Sequence, residues 1–328
     1  MIGPIHQQGK WGFLSKDGEF VIPPIYEGLG NCREDRIGFV TGGKLGFLNT
    51  AGEVVIQPQF EPERYVIPHF SEGLCAVRLG DKVGYIDPTG AWAIQPRFLY
   101  GWDFRGGKSL AQAFGKPMDK YYYCSIDRSG TELAKLEVYE IPLCPDSPES
   151  LDRFPVFMLN ANQTTLLVRW IDWRGTVVFA ERYAWMTNWC EDIAGFCHEE
   201  DQLRHGWGLV KSSGEVVALP KFNLIGQFAE GLAPAGLTPK EFGFINTQGE
   251  WVIEPKYRHA QSFSEGLACV TVKGKDGFIN AKGGIVIEPR FRHASSFQQG
   301  HAQVEYDGKS AVIDNTGHVI WETVLVRK

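Results

Sequence analysis

The sequence consists of nine copies of one repeat. Each repeat contains a seven-residue frame that ends in glycine, as in Gly46-Phe-Leu-Asn-Thr-Ala-Gly52 and Gly277-Phe-Ile-Asn-Ala-Lys-Gly283. The closing glycines are Gly18, Gly52, Gly90, Gly130, Gly175, Gly214, Gly249, Gly283 and Gly317. Because a period of this length is the sequence signature of repeat architectures, we expect one array of similar units whose cores form only when neighbours stack.

Two strands and two tight turns are predicted in the first part of each repeat. In one copy, the alternating residues Ala268–Val272 precede the turn Lys273–Lys275, and Gly277–Ile279 then precede a second turn that Asn280 opens and Gly283 closes. Glycine supplies the positive φ that such turns need, and Asn or Asp can bond there to its own backbone. The pattern therefore predicts a hairpin followed by another turn.

A third strand completes each predicted unit. In the same copy it is Ile285–Ile287, which we expect to end at Pro289, because proline has no N–H to donate to a ladder. The predicted fold class is therefore all-β, with about nine tandem three-stranded hairpin repeats stacked as an open curved solenoid. A closed propeller-like ring is the alternative, although propellers usually have four-stranded blades and roughly 4–8 of them.

The repeats form one continuous array with an irregular middle. Residues 1–100 contain repeats 1–3, residues 101–202 contain divergent repeats with loop insertions, and residues 203–328 contain repeats 6–9.

These repeats resemble the WG (KWG) repeat family. The similarity is carried by Trp-Gly pairs, Gly-Phe-Ile-Asn/Asp turns, Pro-x-Tyr/Phe steps and Phe-Ser-Glu-Gly-Leu segments, for example Trp11-Gly12, Trp207-Gly208, Pro255–Tyr257, Phe70–Leu74 and Phe263–Leu267. It covers residues 5–100 and 203–322 well and residues 101–202 loosely. The resemblance implies a bacterial β-repeat protein that serves as an interaction scaffold, and it supplies no catalytic motif.

Charge and cysteine content exclude several classes. With 33 Lys and Arg against 39 Asp and Glu, the net charge is −6, and no Lys/Arg cluster exceeds a pair, so general nucleic-acid binding is not expected. No segment approaches the roughly 20 apolar residues that span a bilayer, and we expect no secretion signal at the N-terminus. The seven cysteines form no CxxC pair, which favours reduced thiols and a cytoplasmic location.

Catalytic and cofactor-binding residues are not predicted. Asp87 occupies the turn position that Asn246 takes in another repeat, so this carboxylate forms a turn and does not transfer protons. His259 and His293 also share a repeat position, which favours a structural role. The residues around Cys190 and Cys197 provide too few ligands for a closed zinc site. We therefore expect no metal, no cofactor and no enzymatic activity.

The irregular middle is the candidate binding site. Residues 181–206 contain six acids and two bases, which gives a net charge of −4, together with tryptophans suited to anchor a partner. The predicted partner-binding residues are Trp185, Trp189, Glu191, Asp192, Glu199, Glu200 and Asp201. We expect another protein, with a basic surface, to bind here. The alternative is a decayed repeat whose tryptophans are core and whose acids are solvated.

These observations predict a non-catalytic intracellular protein-binding scaffold. One specific hypothesis is an immunity or inhibitor protein that binds a toxin or effector through the irregular middle. A second class is a carbohydrate-binding module, with exposed tryptophans as sugar platforms at Trp92, Trp102, Trp170 and Trp173. A third class is an enzyme built on a β-repeat scaffold, which would require an acid or histidine outside the repeat pattern in a deep pocket.

Overall fold

The chain folds into strands and turns. The computed structural model describes residues 3–15, 17–63, 66–115, 121–136, 138, 153–159, 166–187, 190–198 and 206–324. Within these ranges there is no helix, and so none that is long and apolar enough to cross a membrane. The chain divides into two compact units, Met1–Val138 with Asp172–Thr176 and Tyr139–Ile171 with Val177–Lys328.

The first compact unit contains sheets of three, four and six strands, each following chain order. Its strands are β1 (Pro4–Gln7), β2 (Lys10–Leu14), β3 (Phe20–Tyr26), β4 (Gly28–Arg33), β5 (Arg36–Thr41), β6 (Lys44–Leu48), β7 (Val54–Phe60), β8 (Cys75–Leu79), β9 (Lys82–Ile86), β10 (Trp92–Gly101), β11 (Lys108–Phe114), β12 (Tyr121–Asp127) and β13 (Glu132–Leu136).

The second compact unit contains one six-stranded and three four-stranded sheets. Its strands are β14 (Arg153–Leu159), β15 (Leu166–Asp172), β16 (Val177–Met186), β17 (Ile193–His198), β18 (Trp207–Lys211), β19 (Val216–Phe222), β20 (Leu224–Ile225), β21 (Leu232–Thr238), β22 (Glu241–Asn246), β23 (Trp251–Tyr257), β24 (His259–Ala260), β25 (Ala268–Val272), β26 (Lys275–Ile279), β27 (Ile285–Phe291), β28 (His293–Ala294), β29 (His301–Tyr306), β30 (Lys309–Asp314) and β31 (Val319–Val324).

The predicted all-β fold of nine three-stranded repeats is confirmed, and the structure adds a strand that joins neighbouring repeats. Twenty-seven of the described strands form nine sets of three. The other four, β4, β20, β24 and β28, follow a third strand directly and pair with the first strand of the next repeat. In β28, for example, His293 pairs with Glu305 and Ala294 with Val304. We call these link strands. Through them each four-stranded sheet contains backbone from two repeats.

The expectation that the third strand ends at its proline is wrong. Strand β27 continues through Pro289 to Phe291. Phe278 pairs with Ile287 and Asp276 with Phe291, so β27 bulges between these two pairs and Pro289 lies within the bulge. The strand tolerates the proline because β27 is the edge of its sheet, where a missing N–H leaves no ladder partner unsatisfied.

The first glycine of the frame makes this bulge possible. A Cβ on Gly277 would lie 2.7 Å from both the carbonyl oxygen of Ile287 and the nitrogen of Pro289. Gly46 and Gly84 approach the third strands of their own repeats in the same way. The glycine of the Trp-Gly pair and the proline of the third strand therefore form one structural element, in which only glycine leaves room for the bulged backbone.

The hydrophobic core lies between neighbouring repeats. One cluster joins Phe278 and Ile287 of the eighth repeat to Val304 and Ile313 of the ninth, with Phe297 between them. All five side chains are buried. Because a three-stranded unit cannot bury both of its faces alone, each repeat depends on its neighbour for the free energy of apolar burial.

The close approach at Gly277 gives a stability prediction. Gly277→Ala should lower the free energy of unfolding by about 3 kcal/mol, because the added methyl group meets backbone that cannot rotate away. Gly308→Ala is the control, since Gly308 has a φ of 73° but open space around its Cβ position, and it should cost about 1 kcal/mol. Urea denaturation of both variants measures the difference. Equal losses of stability in the two variants would show that the close approach of Gly277 to the third strand is not what requires glycine.

Candidate functional site

Each Phe-Ser-Glu-Gly-Leu segment forms a two-residue hairpin turn. Ser71 and Leu74 exchange backbone hydrogen bonds of 2.9 and 3.1 Å, and φ is 52° at Glu72 and 74° at Gly73. Positive φ at both central residues is the geometry of the turn that matches the twist of a β-hairpin. A positive φ is unfavourable for glutamate. We therefore expect the glutamate side chain to make a stabilising interaction that glycine or asparagine could not make at this position.

That interaction is a hydrogen bond to the next repeat. The glutamate carboxylate accepts the backbone N–H of the equivalent turn in the following repeat, and we call this series the carboxylate ladder. Its bonds join Glu34 to Gly73 (2.8 Å), Glu72 to Gly106 and Gly107 (2.6 and 2.8 Å), Glu191 to Gly231 (2.9 Å), Glu230 to Gly266 (3.1 Å) and Glu265 to Gly300 (2.7 Å). Charge-assisted bonds to N–H groups are stronger than neutral ones, so each compensates for its strained turn.

The serine of the same segment bonds in parallel. The Ser71 hydroxyl donates to the carbonyl oxygen of Phe104 at 2.8 Å, and the Ser264 hydroxyl donates to that of Phe297 at 2.7 Å. Two side chains of each such turn therefore bond to the next repeat: the serine hydroxyl donates a hydrogen bond and the glutamate carboxylate accepts one. The recurrence of these polar residues is explained by the fold, as their shared repeat position suggests.

Two of the predicted partner-binding residues form one turn of this series, and one of them, Glu191, belongs to the ladder. Glu191 and Asp192, with φ of 52° and 65°, form the two-residue turn between Cys190 and Ile193. The Glu191 carboxylate accepts the Gly231 N–H, and that of Asp192 accepts the Ser212 hydroxyl. Sequence reasoning missed this turn because only the glutamate matches the regular segment. A broader pattern would have identified this turn: an aromatic residue, a small residue, Glu, a turn-forming residue and an aliphatic residue.

Of the other five predicted site residues, the structure describes only Trp185. Trp185 lies in β16, where its backbone pairs with Cys197 of β17. Trp189, Glu199, Glu200 and Asp201 lie outside the described residues. The assignment of these seven residues to a partner therefore stays a prediction.

Two of the four tryptophans considered as sugar platforms are not exposed. Trp102 is 8 % and Trp170 1 % exposed, so the expectation that they present a face to a sugar is wrong. Trp92 is half-buried and meets the Phe60 ring edge-on at 5.6 Å. Burial against neighbouring repeats removes the flat accessible ring that carbohydrate stacking requires.

The other recurring polar residues act locally. The Asp87 carboxylate accepts the N–H groups of Thr89 and Ala91, and the Asn280 amide oxygen accepts those of Lys282 and Gly284, as predicted for interchangeable turn residues. Among the residues that the structure describes, no group of three or more His, Cys, Asp and Glu side chains could hold a metal ion.

Comparison with known proteins adds a family and a fold. A family model described as "WG containing repeat" matches residues 11–44, 46–82, 84–113, 207–236, 242–275 and 277–309. No curated protein sequence is significantly similar to the chain.

Among solved structures, the crystal structure of the eukaryotic initiation factor aligns with 98 % of this chain and 94 % of its own, at 11 % identity and a TM-score of 0.61. At this identity the similarity shows the fold alone. A variant of KlHsv2 with loop 6CD replaced by a Gly-Ser linker aligns over 78 % of this chain and 95 % of its own, at 8 % identity and a TM-score of 0.45. The Dos1 propeller aligns over 76 % and 75 %, at 12 % identity and a TM-score of 0.40.

The carboxylate ladder predicts the effect of removing one of its members. Glu230→Ala should lower the free energy of unfolding by about 1 kcal/mol, because the Gly266 N–H loses its bond to the exposed carboxylate. Gln299→Ala is the matched control: Gln299 has the same position and a φ of 55°, and its side chain bonds to no later repeat in the described chain. It should cost less than about 0.5 kcal/mol. Urea denaturation that finds equal losses would refute the ladder's contribution.

The turn aspartates predict an acid dependence of stability. The Thr89 hydroxyl, 2.6 Å from the Asp87 carboxylate, lowers the pKa of that carboxyl, and the Ser129 hydroxyl does the same to the pKa of Asp127. Both pKa values lie below the unfolded value of about 3.9, so the stabilisation is complete above that pH and is lost as pH falls through the folded values.

The test is the double substitution Asp87→Asn and Asp127→Asn. It should retain the turns, as Asn280 does, and unfold with a weaker pH dependence than the unsubstituted chain between about pH 5 and pH 2. Urea midpoints across this range measure the effect. An unchanged pH dependence would show that these carboxylates do not couple to folding.

Proposed function

Because this chain belongs to the WG-repeat family, we propose that it is a non-catalytic, cytoplasmic protein-binding scaffold. One observation carries the proposal: the polar residues that recur in the repeats hold turns and neighbouring repeats together. Glu72, Ser71 and Asp87 bond within the array. Selection of a partner is then left to side chains that depart from the repeat pattern.

The departures concentrate in one segment. The family model leaves residues 114–206 unmatched between its third and fourth segments. Residues 181–206, with their net charge of −4, fall within this gap. An acidic segment with tryptophans attracts a basic protein surface over long range and offers aromatic anchors once contact is made. The proposed partner is therefore a protein with a basic binding surface.

A more specific form of the proposal is an immunity or inhibitor protein. In this form the partner is a toxin or effector, and the acidic segment covers its active site. The absence of recognised catalytic motifs in the sequence and the charge of the segment support it. A purified complex in which the toxin keeps full activity would refute this form and leave the scaffold proposal standing.

The structure directs which residues to change in the test. Substitution of Glu191 would confound binding with stability, because its carboxylate bonds to Gly231. The test variant therefore replaces Glu199, Glu200 and Asp201 with Lys. The control replaces Asp17, Glu19 and Asp81 with Lys, since these exposed carboxylates make no hydrogen bond or ion pair within the described residues and lie outside the irregular middle.

The partner is captured from host lysate with the unsubstituted chain, purified, and titrated against all three proteins at low and high salt. The test variant should bind roughly tenfold more weakly or worse, and the control should bind like the unsubstituted chain, with affinity falling as salt rises. Equal binding of the two variants, or binding insensitive to salt, would contradict a site in the acidic segment.

A further inference from the structure

The hairpin between the first and second strands of a repeat ends in a tip whose backbone N–H groups can bind a carboxylate. In the second repeat the tip is Gly42-Gly43, and both residues have positive φ, 56° and 69°. The two carboxylate oxygens of Glu27 accept the N–H groups of Gly42 and Gly43, each at 3.1 Å. These bonds lower the pKa of Glu27, so this tip favours a negative charge.

The third repeat uses the same arrangement. Glu61 occupies the position of Glu27, directly after the aromatic residue that ends the third strand, and its carboxylate accepts the N–H of Gly80 at 3.0 Å. It also pairs with Lys44 at 3.0 Å. In both repeats, therefore, a carboxylate from the preceding repeat occupies the hairpin tip.

The eighth repeat has the same backbone arrangement at its hairpin tip, but a positively charged residue takes the position of the glutamate. Arg258 stands where Glu27 stands in the second repeat: its N–H donates to Thr271 at 3.0 Å, as that of Glu27 donates to Val40 at 2.9 Å. In each case the tip begins two residues after the acceptor. The tip is here Lys273-Gly274, with φ of 49° and 77°, so its two N–H groups have the orientation found at Gly42-Gly43.

No carboxylate of the described chain reaches this tip. The nearest acid in sequence is Asp276, whose two oxygens already accept the Thr271 hydroxyl at 2.7 Å and the Ala294 N–H at 3.1 Å. Arg258, Lys273 and Lys275 are exposed and form no ion pair within the part of the chain that is described. The tip therefore has a cation at its first residue, one directly after it and one at the position of Glu27, and its N–H groups correspond to those that bind a carboxylate in the second repeat.

We propose that the tip Lys273-Gly274, together with Arg258 and Lys275, binds an acidic side chain of a partner protein. The partner's carboxylate takes the place that Glu27 fills within the chain, accepting both tip N–H groups, and the three cations supply the attraction that Lys44 supplies to Glu61. The ninth repeat differs, because its tip Asp307-Gly308 carries a carboxylate of its own beside Arg292.

This site consists of other residues than the acidic segment of the proposed function and has the opposite charge. A glutamate side chain is favoured over other anions because the chain itself provides the template, a glutamate carboxylate with one oxygen on each N–H. The inference holds or fails independently of what binds residues 181–206.

The test measures the backbone resonances of Lys273 and Gly274 in the ¹⁵N-labelled full chain. The probes are a synthetic peptide of alternating Glu and Gly, its counterpart with Gln for Glu, and inorganic phosphate. The Glu peptide should shift both amide resonances saturably, and the Gln peptide should not. Shifts of equal size with both peptides, no shift at saturating Glu peptide, or a response to phosphate alone would each overturn the proposal.

Two charge reversals sharpen the result. Arg258→Glu places a carboxylate at the position of Glu27, so it should fill the tip from within and weaken Glu-peptide binding roughly tenfold or more. Lys282→Glu makes the same charge change at the opposite end of β26 and should alter the affinity by less than about twofold. Equal weakening by both variants would show diffuse attraction and no built site.

Discussion

Hydrogen bonds between the carboxylate of one repeat and the turn amides of the next align neighbouring repeats. A two-residue hairpin turn with positive φ leaves two N–H groups pointing outward, where no strand can accept them. Glu230 accepts such a group from Gly266, and Glu265 accepts one from Gly300, at the cost of a strained φ of 56° at each glutamate. The same bond satisfies the donor and fixes the position of the neighbouring repeat.

Link strands and apolar packing act across the same boundaries. β28 continues from the third strand of one repeat into the sheet of the next, and the core around Phe278 and Ile313 needs both repeats to close. Stability in such an array is a sum of repeat and neighbour terms, so a change at one boundary is felt first by the two repeats that share it. Within the described residues the ladder has two runs, from Glu34 to Gly107 and from Glu191 to Gly300.

Much of this architecture could be read from the sequence, because turn chemistry is local. The period, the three strands and the turn-forming role of Asp87 and Asn280 follow from glycine spacing and from side chains that bond to their own backbone. The link strands could not be predicted, since a two-residue segment such as His259-Ala260 has no periodicity of its own. The bulge at Pro289 was also hidden, because it depends on the absence of a Cβ on Gly277 in a different strand.

The candidate site shows the same division. Charge counting identified the acidic segment, but it could not tell that the Glu191 carboxylate bonds to Gly231, forty positions later. Charge counting also did not reveal that Glu27 and Arg258 occupy equivalent backbone positions in two repeats. The Glu27 carboxylate binds the hairpin tip of the second repeat, and the Arg258 side chain cannot bind the equivalent tip in this way. The roles of these three residues depend on contacts between repeats, and residue type alone does not predict such contacts.

Native-state amide hydrogen exchange of the unsubstituted chain is the measurement that shows whether the carboxylate ladder connects neighbouring repeats. All the glycines compared lie in two-residue turns with positive φ, so their local backbone geometry is matched. Exchange should be slow at Gly231, Gly266 and Gly300, whose N–H groups bond to a carboxylate, and fast at Gly274 and Gly308. Equal exchange rates in the two groups would contradict the carboxylate ladder as the bond between repeats.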